Sequence, residues 1–172
     1  VTYGIVGHSE RRHVFFFFLD DVKLKVAAAY RNNIVPILCV GETKSDRTNG
    51  ETNQVLHDQV VSALSNITGE EAERLVIAYE PVWAIGTGEV ATPDQAAKAA
   101  EVIRRNVEAL YGKKVADAVR VLYGGSVTPD VAGGFLRAKG IDGLLVGGAS
   151  LNYQHFSGII AAFHPDDISL FG

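Results

Sequence analysis

Strand-type and helix-type segments alternate along this chain, and that alternation limits its possible folds more than any other feature. Five short runs rich in Val, Ile or Leu can be read, at about Tyr3–Val6, Val35–Val40, Leu75–Tyr79, Arg120–Tyr123 and Gly143–Val146. Each precedes a loop or helix, and glycine or a charged residue follows each run. Helical patterns lie between them. Asp20 or Asp21 can cap a helix over Val22–Arg31, with Asn33 as a left-handed stop. Thr52–Leu64 carries Val55, Val60 and Leu64 on one face. Thr92-Pro93-Asp94 opens a helix over Gln95–Leu110, and Thr128-Pro129-Asp130 repeats that start before Val131–Ala138. Strands that alternate with helices imply an α/β fold built on a parallel sheet. No linker or low-complexity tract divides the chain.

Composition narrows the function classes. The 172 residues carry a formal charge of −4, which gives no reason to expect nucleic acid or an anionic membrane as a partner. No apolar run is long enough to span a bilayer. One cysteine cannot form an internal disulfide, and the start has no signal-peptide architecture, so a reducing cytoplasm is expected.

The segment Ala78-Tyr79-Glu80-Pro81-Val82-Trp83-Ala84-Ile85-Gly86-Thr87-Gly88 concentrates the chemistry. It places one glutamate at the carboxyl end of an apolar strand, followed by a proline, an aromatic residue and Gly-Thr-Gly. A charged side chain there is not packing a core; it faces whatever the loop covers.

This segment closely resembles the catalytic-glutamate strand and lid of the triosephosphate isomerase family. Gly7-His8-Ser9-Glu10-Arg11-Arg12 is similar to that family's catalytic-histidine strand end. Tyr123-Gly124-Gly125-Ser126-Val127 and Leu145-Val146-Gly147-Gly148-Ala149-Ser150 are similar to its two phosphate loops. The motifs occur in the family's order over nearly the whole chain. The resemblance implies a TIM (β/α)8 barrel, here incomplete, with strands four to eight present. Such a barrel typically needs about 250 residues, so the chain reads as a C-terminal piece of a longer protein. Five strands cannot close a barrel, and an open edge is an invitation to associate or to fold poorly.

The resemblance also implies a reaction, the interconversion of dihydroxyacetone phosphate and D-glyceraldehyde 3-phosphate through an enediolate, without cofactor or metal. Glu80 would be the base and His8 the neutral electrophile, helped by a short helix starting at Ser9-Glu10-Arg11. Glu10 would be a second pocket carboxylate, against the plainer reading of an ion pair with Arg11 or Arg12. Gly86, Gly125, Ser126, Gly147 and Gly148 would hold phosphate through backbone N–H groups. Pro81, Val82, Trp83, Ala84, Ile85, Thr87 and Gly88 would form the lid, with Ile85 over the carboxylate and Leu145 facing it. Glu42 and Tyr79 would support the lid hinge. The partner would be a small triose phosphate, and the family is typically a homodimer. Two other readings stay open: another sugar-phosphate barrel enzyme, or a non-catalytic phosphate-binding fragment.

Some residues depart from the pattern. No Asn-x-Lys segment precedes His8, so the family's substrate-binding lysine is missing from this sequence. The second hinge reads Glu89-Val90-Ala91 where Lys-Thr-Ala is common. Val14-Phe15-Phe16-Phe17-Phe18-Leu19 is uninterrupted and apolar, an aggregation hazard if exposed. Cys39 lies in an apolar strand and reads as a buried thiol with no adjacent base. His13, His57, His155 and His164 acquire no role, and no pair of them has metal-ligand spacing.

Overall fold

The computed structural model describes residues 1–13, 18–85, 87 and 89–163. In chain order the elements are β1 (Tyr3–Val6), α1 (Ser9–His13), α2 (Leu19–Arg31), β2 (Val35–Val40), α3 (Lys44–Thr48), α4 (Thr52–Leu64) and α5 (Gly69–Glu73). There follow β3 (Val76–Tyr79), α6 (Pro93–Tyr111), α7 (Lys113–Ala118), β4 (Arg120–Tyr123), α8 (Pro129–Leu136), β5 (Gly143–Leu144) and α9 (Tyr153–Ala161). The strands form one sheet in the order β1-β2-β3-β4-β5, every neighbouring pair parallel. Sequence order equals spatial order, so the sheet is five consecutive staves of the expected barrel.

The helices form where local chemistry allows. Thr92 accepts a hydrogen bond from the N–H of Gln95, and Pro93 occupies the first turn of α6. Thr43 and Thr68 cap α3 and α5 in the same way. The cap of α2 differs from expectation. The helix begins at Leu19, and the Asp21 carboxylate accepts the N–H of Phe18 rather than standing before the helix itself. Asn33 has φ 57°, the left-handed stop read from the sequence. α8 begins at Pro129, and the Thr128 side chain makes no cap bond.

The core lies between the sheet and the α2, α4, α6 layer. Val26, Leu38, Leu56, Leu64, Ile77, Ile103 and Val121 are fully buried there, each such burial stabilising by roughly 1.5–3 kcal/mol. β3 is buried on both faces, as a central parallel strand must be. The two outer strands are not. Among the described residues β1 and β5 each pair on one side only, and Tyr3 and Ile5 of β1 are exposed. β5 ends at Leu144 rather than at the expected Val146, with the Leu145 N–H still donating to the Tyr123 carbonyl. Tyr153, Phe156 and Ile160 of α9, at helical spacing, also face solvent. No helix among the described residues is long and apolar enough to cross a membrane. The run 14–17 and the C-terminal stretch from His164 lie outside the described residues; Phe18 is exposed.

Candidate active site

The site opens at the carboxyl ends of the strands, as the parallel sheet requires. Glu80 leaves β3 and is 3% exposed. Its backbone N–H donates to the carbonyl of Val40 at 2.7 Å, which fixes its height against β2. Gly41 makes that approach possible, since a Cβ there would fall 1.7 Å from the Glu80 carbonyl oxygen.

Two donors from the end of β1 meet the carboxylate. Nε2 of His8 lies 3.0 Å from Oε1, and the Ser9 N–H donates to Oε2 at 3.2 Å. The N–H of Glu10 donates to His8 Nδ1 at 3.3 Å. Nδ1 is therefore the acceptor, and the ring proton sits on Nε2, facing Glu80. The first turn of α1 thus places the N–H that orients the ring. Burial raises the pKa of Glu80 above the usual carboxylate range, opposed by His8 and by the Ser9 hydrogen bond. A desolvated carboxylate of raised basicity beside a neutral N–H donor can move a proton next to a carbonyl group.

The Cys39 thiol also hydrogen-bonds this carboxylate. Burial, and then the charge of Glu80, push its pKa above the usual thiol range. The expectation of a thiol without an adjacent base is thus corrected; β2 and β3 pair Cys39 with Ala78, two residues before Glu80. Glu10 enters the site only through its backbone. It is exposed and does not line the cleft, and the Arg12 guanidinium turns to the carbonyls of Gly7 and Cys39 rather than to Glu10.

A cleft of about 590 Å³ opens over these groups. His8, Glu80, Ile85 and Leu145 line one part of it, and Gly125, Ser126, Gly147 and Gly148 another. Ile85 and Leu145 thus border the same cleft as the carboxylate. Gly125 is indispensable to the first loop, because a Cβ there would fall 2.0 Å from the Tyr123 hydroxyl. Gly86 and Gly88 of the lid lie outside the described residues. His155 lines the cleft too, although nothing near it in sequence singled it out. It stands at the start of α9, and only the packing of α9 beside the loop of Gly147 and Gly148 puts it there. Among the described residues the cleft walls carry no Lys or Arg, and no group of three or more His, Cys, Asp and Glu gathers as a metal would need.

The lid is anchored from outside the cleft. Val82–Ala84 is a short 3-10 turn with Pro81, Trp83 and Ala84 buried. Glu42 is fully buried, and its Oε1 accepts from Trp83 Nε1 at 2.9 Å, Tyr79 hydroxyl at 3.1 Å and Arg47 at 3.1 Å. Arg47 also lies 4.7 Å over the Trp83 ring. Thr87 donates to the Trp83 carbonyl at 2.7 Å, and Ser126 donates to the Ala84 carbonyl at 3.0 Å. Ser126 therefore joins the first glycine loop to the lid base. Lys44 pairs with Glu89 of the second hinge.

Comparison with known proteins identifies a family. The profile of the family described as Triosephosphate isomerase matches residues 1–163. A protein named Triosephosphate isomerase from Clostridium tetani is 48% identical over 160 residues, covering 93% of this chain and 63% of that protein. Those of the same name from Citrifermentans bemidjiense and Pediococcus pentosaceus are 49% and 47% identical, covering 92% and 91% of this chain and 63% and 62% of theirs. The chain spans a little under two thirds of the length of these curated relatives.

Proposed function

We propose that this chain, which belongs to the triosephosphate isomerase family, carries the proton-transfer and phosphate-holding parts of a triose-phosphate isomerase. The substrates would be dihydroxyacetone phosphate and D-glyceraldehyde 3-phosphate. The observation that carries this reading is a buried carboxylate, Glu80, 3.0 Å from the proton-bearing nitrogen of His8. In the reaction, Glu80 takes a proton from the carbon beside the substrate carbonyl. His8 Nε2–H donates to the carbonyl oxygen and stabilises the negative charge that develops there. The proton of the adjoining substrate hydroxyl passes to the former carbonyl oxygen by way of His8 Nε2, and the protonated Glu80 returns its proton to the neighbouring carbon. Gly125, Ser126, Gly147 and Gly148 hold the phosphate through backbone N–H groups, joined by Gly86 of the lid. The lid residues 81–88, with Ile85 against Leu145, keep water from the enediolate.

The reaction needs no cofactor. Glu10 serves it through the N–H that fixes the His8 ring. The cytoplasm is the proposed location and a homodimer the proposed assembly, both following from the family to which the chain belongs.

A second reading has its own observation. With no Lys or Arg among the described cleft walls, the chain by itself binds phosphate without turning substrate over. A coupled isomerase assay separates the readings. It is run on this chain and on the chain fused behind the first three strand–helix units of a relative, each beside Glu80→Gln. Turnover in the fusion, lost by about 10²–10⁴-fold in Glu80→Gln, is the expected result. Full activity in Glu80→Gln would sink the isomerase reading, and activity on other sugar phosphates alone would reassign the substrate.

A further inference from the structure

Arg12 is a half-buried cation that pairs with no carboxylate among the described residues. Its guanidinium instead forks between two strands. Nε donates to the carbonyl of Gly7 at 2.7 Å, and Nη2 donates to the carbonyl of Cys39 at 3.0 Å. Both carbonyls belong to the backbone that sets up the site. Gly7 immediately precedes His8. Val40, which follows Cys39, accepts the Glu80 N–H. The fork therefore ties the peptide before the electrophile to the strand that carries the backbone partner of the base.

Gly7 is shaped for this contact. It has φ +74°, and a Cβ on it would lie 2.7 Å from Arg12 Nη2. The left-handed turn and the guanidinium occupy one another's space. An ammonium could not reproduce the arrangement, because the planar fork presents two fixed donors where lysine offers a point charge.

We infer that Arg12 is a positioning residue of the isomerase site: its fork across Gly7 and Cys39 sets the His8 ring and the Ser9 N–H against Glu80. This rests on the reading of His8 and Glu80 as electrophile and base. Arg12 does not line the cleft. Without the fork, the Gly7 turn relaxes. The Glu10 N–H then leaves His8 Nδ1, and the Ser9 N–H leaves Glu80 Oε2.

The test uses the 15N-labelled chain without substrate. Long-range 1H–15N spectra report which nitrogen of each imidazole carries the proton, and His8 is identified by the signal missing from His8→Gln. Arg12→Lys and Arg12→Ala are compared with wild type. In both, the ratio of the two neutral His8 tautomers is expected to shift about tenfold, the size of one ordinary hydrogen bond. The Ser9 amide should exchange faster with solvent, while amides of α4 and α6 keep their positions. Millimolar methylguanidinium should restore the His8 pattern in Arg12→Ala. An unchanged His8 ratio in folded Arg12→Lys overturns the assignment. Loss of the whole spectrum together with the His8 pattern also overturns it, since Arg12 would then be a general prop. Turnover plays no part in this readout. An inactive completed protein with the expected shifts would sink the isomerase reading and leave the role of Arg12 standing.

Discussion

His8 Nε2 lies 3.0 Å from Glu80 Oε1 although their strands, β1 and β3, are not neighbours. β2 stands between them. The two side chains meet above its carboxyl end, where Gly41 leaves room for the backbone of Glu80. The pair is thus assembled by three strands at once, and each part of that assembly can be tested.

The carboxylate of Glu80 is stabilised in its neutral form by burial, so its folded pKa lies above the unfolded value of about 4.3. The sign follows from linkage. A raised folded pKa contributes stability that is fully present below the unfolded pKa and lost as pH rises through the folded one. Glu80→Gln does not ionise. The stability of wild type relative to Glu80→Gln should therefore fall as pH rises from about 4. Urea midpoints of both proteins between acid and neutral pH check this; a difference that stays flat shows that the pKa is not raised.

Gly41→Ala should be among the most damaging small substitutions in the chain. Its Cβ would meet backbone, the Glu80 carbonyl, at 1.7 Å, and backbone cannot turn aside as a long side chain can. The expected loss is about 3 kcal/mol or more, read as the shift in denaturation midpoint. Gly147→Ala, whose Cβ would meet nothing within 4 Å, is the control and should cost far less.

Trp83 is the one tryptophan in the chain, so its fluorescence reports the first hinge of the lid directly. Glu42→Ala would leave the indole N–H and the Tyr79 hydroxyl without their acceptor in a buried site. A destabilisation of about 2–4 kcal/mol and a changed emission maximum are expected. Lys44→Ala removes only an exposed pair with Glu89 and should stay within about 1 kcal/mol of wild type. Equal effects from the two substitutions would contradict the hinge role of Glu42.

The open flanks of the sheet should make the chain associate. Tyr3 on the β1 edge and Ile160 on α9 are both exposed. Sedimentation velocity on wild type should show species larger than a monomer. Tyr3→Lys with Ile160→Lys should shift the distribution toward monomer, and so should fusion to the first three strand–helix units of a relative. A wild-type chain that sediments as a monomer and unfolds sharply would count against this.

Much of the fold was legible because its signals are local. The five strands begin where the Val, Ile and Leu runs begin, within a residue. The Thr92 cap and the Asn33 stop involve partners only a few residues away. The failures were local as well. α3, α5 and α7 are too short to show a hydrophobic period, and α2 starts earlier than its first aspartate suggested because Asp21 reaches back to the Phe18 N–H. At the site, the four motifs marked His8, Glu80, Gly125, Ser126, Gly147 and Gly148, and the fold brings all six to one cleft. Glu10 was marked for its carboxylate, whereas the contact it makes in the site is from its amide N–H to His8 Nδ1. Arg12 lay inside the His8 motif but was read only as a possible partner of Glu10, Cys39 was read as a buried thiol without an adjacent base, and His155 was given no role.

The sequence by itself determined the order of strands and helices, the positions of the turns, and the four loops that carry polar and glycine residues to strand ends. Those follow from side-chain periodicity and capping, which act over a few residues. Only the tertiary structure decided how those ends face one another. Glu80 and the Ser9 amide are 71 positions apart, and Arg12 reaches across 27 to Cys39. Such contacts depend on the register of β1 on β2 and of β2 on β3, and a shift of one residue would turn every side chain to the opposite face. The meeting of His8 with Glu80, the burial of Glu80 and, among the described residues, the one-sided pairing of β1 and β5 all come from that register and from which strands pair.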